Sequence, residues 1–221
     1  MFAVIFKVQP KQGRFDDYLN LAKQLKPELA KIDGFIDNER FRSQRTNGLL
    51  LSLSTWRDEK AVIRWRTLEL HHKVQERGRS EVFEDYHLRV GEVAFDNAVP
   101  DGQKLQRLRL DETETSQAKV VTISEPAPAK TEAPSSASTV AELQPPHSGA
   151  DGLIDCEQFE SITNAGKTLL LASWRNAAAA EHWQPCMAPN AKLRHRHVAI
   201  IRDYGMIDRR EAPQYYADVA L

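Results

Sequence analysis

Eleven consecutive residues, WRTLELHHKVQ, carry a tryptophan, a histidine and a glutamine (Trp65, His71 and Gln75) that together could act on a small molecule. A neutral imidazole in an apolar pocket can take an acidic proton such as that of a phenol. The anion it leaves is electron-rich enough to pass one electron to O2. Gln75, one helical turn after His71, is a candidate for substrate binding, and the Trp65 ring could form a stacking wall. Each residue also has a plainer use. A large aromatic on the buried face of a helix is ordinary core, and a histidine in a polar stretch can simply be solvated, as its neighbour His72 illustrates.

Three other groups invite the same question. Asp37, Glu39, Phe41 and Ser43 alternate along a strand-like segment and so share one face. Acids on a buried face need partners or raised pKa values, so Glu39 could bind substrate. The alternative, which the sequence favours, is pairing between strands or sheets that fixes register. His195 and His197, in KLRHRHVAII, lie at i and i+2 and could ligate a metal, but no third ligand is evident and no metal is expected. Cys156 and Cys186 have no paired spacing and read as small buried hydrophobes.

The elements that must position these residues follow from an internal repeat. Residues 34–65, GFIDNERFRSQRTNGLLLSLSTWRDEKAVIRW, align without a gap on 152–183, GLIDCEQFESITNAGKTLLLASWRNAAAAEHW, with thirteen identities in thirty-two positions. All four tryptophans fall inside it. In the first copy, FAVIFKV reads as a strand, and Tyr18, Leu21, Ala22, Leu25, Leu29 and Ile32 recur at helical spacing until Asp33-Gly34 stops them. Residues 35–44 alternate as a second strand, and Gly48 turns the chain into a third, LLLSLSTW. Asp58 and its counterpart Asn176 are good N-caps for a following helix, on which Ala61, Val62 and Trp65 face the sheet. ELHHKVQERGR continues as helix and DYHLRVGEVAF as a fourth strand.

The order βαββαβ predicts an α+β protein of ferredoxin-like units, with helices on one face of an antiparallel sheet. The bare face of one such sheet can be hidden against that of another, in a homodimer or in an intramolecular pseudo-dimer. The expected division is a complete unit at 1–112, an Ala/Pro/Ser-rich linker at 113–149, and a reduced unit with a C-terminal tail at 150–221. A candidate first strand of copy two lies at 119–124, and SSASTVAEL is at most a short helix. Aligning Val90 with Val198 shortens the offset from 118 to 108, so the second copy lacks the counterpart of HHKVQERGR.

The 221 residues are 41% hydrophobic and 28% charged, with a net charge of −1. That composition offers no broad electropositive surface, so nucleic acid is not an expected partner. The apolar runs are strand-length and the N-terminus lacks a signal-peptide pattern, so a cytoplasmic protein without membrane contact is expected.

GFIDNERFRSQ, LLLSLSTWRDEKAVIRW, His71 in HHKVQERGR and FEDYHLRVGEV together resemble the antibiotic biosynthesis monooxygenase family, well over residues 1–98 and more loosely over 152–205. The resemblance implies tandem ferredoxin-like units whose antiparallel sheets pack as a dimeric α/β barrel. It also implies a cofactor-independent monooxygenase oxidising a small aromatic molecule, with His71 and Trp65 as the catalytic pair. The alternatives are a non-catalytic ligand-binding or assembly module and, less favoured, a haem-degrading enzyme. The first strand carries no asparagine and His71 sits closer to the tryptophan than an axial ligand would, so no cofactor is expected and haem is the one to test. Ala61 stands where the cofactor-free oxygenases would place an asparagine.

Overall fold

The computed structural model describes residues 1–127, 143–185 and 192–216. The first unit runs β1 (Phe2–Pro10), α1 (Phe15–Leu29), β2 (Phe35–Ser43), β3 (Leu50–Trp56), α2 (Glu59–Arg66), α3 (Glu69–Arg77), a π-helical turn (Gly78–Val82) and β4 (Phe83–Asp96). The second has β5 (Val120–Pro126), β6 (Leu153–Ser161), β7 (Thr168–Trp174), α4 (Ala177–His182) and β8 (Leu193–Gly205). The expected short helix in SSASTVAEL lies outside the described residues but for Leu143, as does Cys186.

The eight strands close into one antiparallel barrel in the order β1-β3-β2-β6-β7-β5-β8-β4. The two four-stranded sheets therefore face each other within the chain and also join at both edges, β2 to β6 and β4 to β8. Closure leaves no sheet edge to cover and turns the bare faces into a packed interior. Ala3, Ile5, Phe41, Leu51, Leu53 and Val93 meet Val121, Ile123, Phe159, Leu169, Leu171 and Val198 there.

The β2–β6 seam obeys a pseudo-twofold. Phe41 lies opposite Ser161 and Ser43 opposite Phe159. Ser43 donates to Glu157 Oε1 at 2.6 Å, and Ser161 donates to Glu39 Oε1 at the same distance. Glu157 also accepts from Lys7 Nζ at 2.7 Å. The strand register places Glu125 at the position of Lys7, so Glu39 would face an acid, and Lys167 sits between them at 2.5 and 2.9 Å. Burial pushes the Glu39 carboxyl up, but the hydrogen bonds from Lys167, Ser161 and Asn164 outweigh it and hold the group below its ordinary pKa.

The other seam corrects the alignment. Phe2 pairs with Glu92 in the first sheet and the equivalent Val120 pairs with Ala199 in the second, so the offset is 107 and Val198 matches Gly91, not Val90. Crossed contacts agree. Arg89 donates to Ser173 Oγ at 2.9 Å, and its counterpart Arg196 reaches Thr55 Oγ1 at 3.4 Å. Matching valine to valine failed because the deletion fell beside a strand whose interior marker is arginine.

Local signals hold at both helix starts, where Asp58 accepts from Ala61 N at 2.8 Å and Asn176 from Ala179 N at 2.9 Å. Trp56 and Trp174 are fully buried, their indole N–H groups donating to Ser54 and Thr122.

Candidate active site

The outer face of the first sheet is roofed by α1, α2 and α3, and a cavity of about 190 Å³ remains between them. Its floor is apolar where Val4 and Phe6 of β1 and Leu88 and Val90 of β4 alternate outward; Tyr18, Leu21 and Leu25 descend from α1. The segment after β8 comes back over this region. Gln214 Nε2 donates to Arg66 O at 3.2 Å, and Tyr216 donates to Gln75 Oε1 at 2.9 Å.

Trp65, His71 and Gln75 all line this cavity. Trp65 packs against the cluster around Phe2, Leu29 and Trp56, and the His71 ring stacks on it with centroids 4.2 Å apart and planes at 21°. The last turn of α2 closes with Leu68 N donating to the Trp65 carbonyl at 3.2 Å, and His71 Nδ1 also lies 3.0 Å from that oxygen. A carbonyl only accepts, so in the neutral ring Nδ1 carries the proton and Nε2 keeps the lone pair. Desolvation, reinforced by the nearby His72, pushes His71 down to about 4, despite the Trp65 hydrogen bond. Part of the ring is open to the cavity, but protein atoms surround it closely enough to disfavour the cation.

Glu39 does not join them. It points into the barrel, on the opposite side of the sheet, and its partners are Ser161, Asn164 and Lys167. Alternation along β2 sends Asn38 and Arg40 to the cavity instead. The reading of Asp37, Glu39, Phe41 and Ser43 as a register device fits the crossed hydrogen bonds, while substrate contact by Glu39 is corrected.

Several cavity residues had no sequence signal. The π-helical turn directs Arg79 to Tyr86 Oη at 2.6 Å, and Arg209 reaches the same oxygen at 2.6 Å. Their separation along the chain, from β4 to the closing segment, left nothing local to read. Arg40 was one parity step from the residues singled out on β2.

His195 and His197 lie on the outer face of β8, where Leu88 and Val90 stand in the first unit. Their Nε2 atoms are 2.9 Å apart, and His195 Nδ1 is 2.8 Å from Ser124 Oγ. Among the described residues, no three His, Cys, Asp or Glu side chains come together as a metal site. Cys156 is partly buried with its thiol pushed up to about 11 by desolvation.

Fold and cavity define a class: a dimeric α/β barrel whose two halves are fused in one chain, with a chambered first half. A family profile described as antibiotic biosynthesis monooxygenase matches residues 1–77. A Pyricularia oryzae protein named jasmonate monooxygenase ABM is 40% identical over 220 residues, covering 98% of each chain. The crystal structure of aldoxime dehydratase shares the fold, with a TM-score of 0.51 and 13% identity over 90% of this chain and 80% of that one. A crystal structure titled antibiotic biosynthesis monooxygenase aligns with 45% of this chain and 100% of its own at 19% identity and a TM-score of 0.38. The chain belongs to the antibiotic biosynthesis monooxygenase family, and its type is that of a monooxygenase. No helix among the described residues is long and apolar enough to cross a membrane.

Proposed function

We propose that the protein oxidises a small, mostly apolar molecule with O2 in this cavity, without a bound cofactor, and that His71 is the base. The substrate carries an acidic proton, as aromatic phenols and anthrones do and as enolisable ketones do. The Pyricularia relative's name puts jasmonate, a cyclopentanone carboxylate, in the second group. The observation that carries the reading is His71 itself: a desolvated, neutral imidazole with its tautomer fixed by the Trp65 carbonyl, stacked on an indole in an apolar chamber.

The chemistry balances without an outside reductant. Nε2 takes the substrate proton, and the carbanion gives one electron to O2. The resulting radical and superoxide combine into a peroxide. At a methylene carbon that peroxide loses water and leaves a carbonyl, so one oxygen atom enters the product and the other leaves as water, with all four electrons drawn from the substrate. A pKa of about 4 makes His71 a weak base in the empty site. The forming anion restores its basicity, because imidazolium and anion then pair in a low-dielectric chamber.

Oxygen uptake with anthrones, quinols and jasmonate tests the reading. His71→Asn can keep a donor to the Trp65 carbonyl but removes the base, and it should lower turnover by about 10²–10⁴-fold. Unchanged uptake in that variant refutes the role of His71. The hydrogen bond to Trp65 also favours a second reading, in which His71 only caps α2 and the cavity binds a ligand without turning it over. Ligand binding with no oxygen consumption, and a Soret shift or its lack on adding haem, separate that module from an oxygenase and from a haem protein.

A further inference from the structure

The charge around the cavity is one-sided. Among the described residues Lys26, Arg40, Arg66, Arg79, Arg202 and Arg209 border it, against a single carboxylate, that of Glu59. Both Glu59 oxygens already accept from Arg109 Nη1 at 2.6 Å, a guanidinium that also holds Asp111. Arg40, Arg66 and Arg202 form no ion pair among the described residues. The Nε atoms of Arg40 and Arg66 are buried and have no hydrogen-bond partner among the described residues. Native structures rarely leave such donors empty, because a buried N–H without an acceptor is costly.

The arginines also have an order. Arg202 and Tyr204 stand on β8 beside Val90 and Leu88 of the cavity floor, Arg209 lies over the Tyr204 ring at 5.7 Å from its centroid, and Arg66 lines the same cavity. Arg66, Trp65 and His71 all line this one cavity, so the cationic side chains share it with the stacking wall. A guanidinium is permanently charged and matches a carboxylate in a two-point fork.

We propose that the cavity selects an organic anion, an apolar body ending in a carboxylate, and that Arg66, assisted by Arg202, anchors that carboxylate while Trp65 and the sheet floor hold the apolar part. The inference rests on the cavity being the substrate site, but binding can be measured without turnover. Arg66 and Arg202 are positioning residues, setting which carbon of the substrate faces His71.

The test is anaerobic titration calorimetry with two pairs of probes, jasmonate and 2-naphthoate, each beside its neutral methyl ester. The acid of each pair should bind the wild type at least about tenfold more tightly than its ester. Arg66→Gln and Arg202→Gln should each erase most of that preference while leaving ester binding unchanged, and Arg66→Lys should restore part of it. Thermal melts confirm that the variants fold. Equal binding of acid and ester to the wild type, or of none of the four probes, overturns the anion class. A preference that survives in both glutamine variants overturns the anchor. Tight, Arg66-dependent acid binding without oxygen uptake upholds this inference and refutes the oxidation proposed above.

Discussion

Acidification should unfold this protein through its histidines before its carboxylates. His71 and His195 are both pushed down to about 4 by desolvation, from an ordinary 6.5. Above pH 6.5 each ring is neutral in the folded and the unfolded chain. As the pH falls below 6.5 the unfolded chain takes up protons that the fold refuses, so stability drops, and the loss is complete near pH 4. A gap of about 2.5 units is worth about 3 kcal/mol per ring, of which about 2 kcal/mol is lost between about pH 7.5 and pH 5. Carboxylates held below their ordinary values, such as Glu39 and Asp203, contribute only at lower pH. Urea melts across this range should therefore show His71→Asn losing about 2 kcal/mol less than the wild type, because the other desolvated rings, His195 and His197, remain in both proteins and the Trp65 hydrogen bond is kept. Parallel pH profiles for the two proteins, within about 0.5 kcal/mol, would refute the claim that His71 is held neutral by its surroundings.

Two further perturbations probe the barrel. Ser43→Ala and Ser161→Ala each remove a hydroxyl that donates to a carboxylate across the seam and accepts from backbone N–H groups of the following turn. Each should cost about 1.5–3 kcal/mol in a urea melt, and a cost near zero for either would show that the crossed pairs do not hold the seam. Gly152 sits at φ +72°, and a Cβ there would lie 2.5 Å from Ala179 Cβ, so Gly152→Ala should destabilise by about 2–4 kcal/mol through strain and overpacking; a melt unchanged from wild type would mean that α4 yields freely.

The architecture was legible wherever local chemistry decides it. Helical spacing from Tyr18 to Leu29, the caps Asp58 and Asn176, and alternation on β2 and β6 all reappear as drawn from the residues alone. Alternation states which residues share a face; it does not say which face is which. Here both faces of the first sheet are covered, one by the opposing sheet and one by helices, so hydrophobicity could not assign Glu39 to the barrel and Arg40 to the chamber. Arg66 stands in the last turn of α2, where any cation suits the dipole, so its sequence position alone carries no further signal. Its meaning depends on Arg202 and Arg209, which arrive from the far end of the chain.

The comparison between the two copies separates structure from chemistry more sharply than either copy alone. The interior-facing Asp37, Glu39, Phe41, Ser43, Leu51 and Leu53 are each repeated identically as Asp155, Glu157, Phe159, Ser161, Leu169 and Leu171. The chamber-facing Asn38, Arg40, Ser52 and Ser54, one step out of phase with them, become Cys156, Gln158, Leu170 and Ala172. The same division runs through the outer strands, where Phe6, Leu88 and Val90 are replaced by Ser124, His195 and His197, while Arg89 keeps its counterpart Arg196. Closing the barrel requires two matching interiors, and packing there penalises any change of volume or charge. The outer face of the second sheet packs against α4 around Trp174 and Trp183, the repeats of Trp56 and Trp65, whereas Arg40 has no repeat there; barrel closure does not require it, and under the proposed function what it answers to is a small molecule in the cavity.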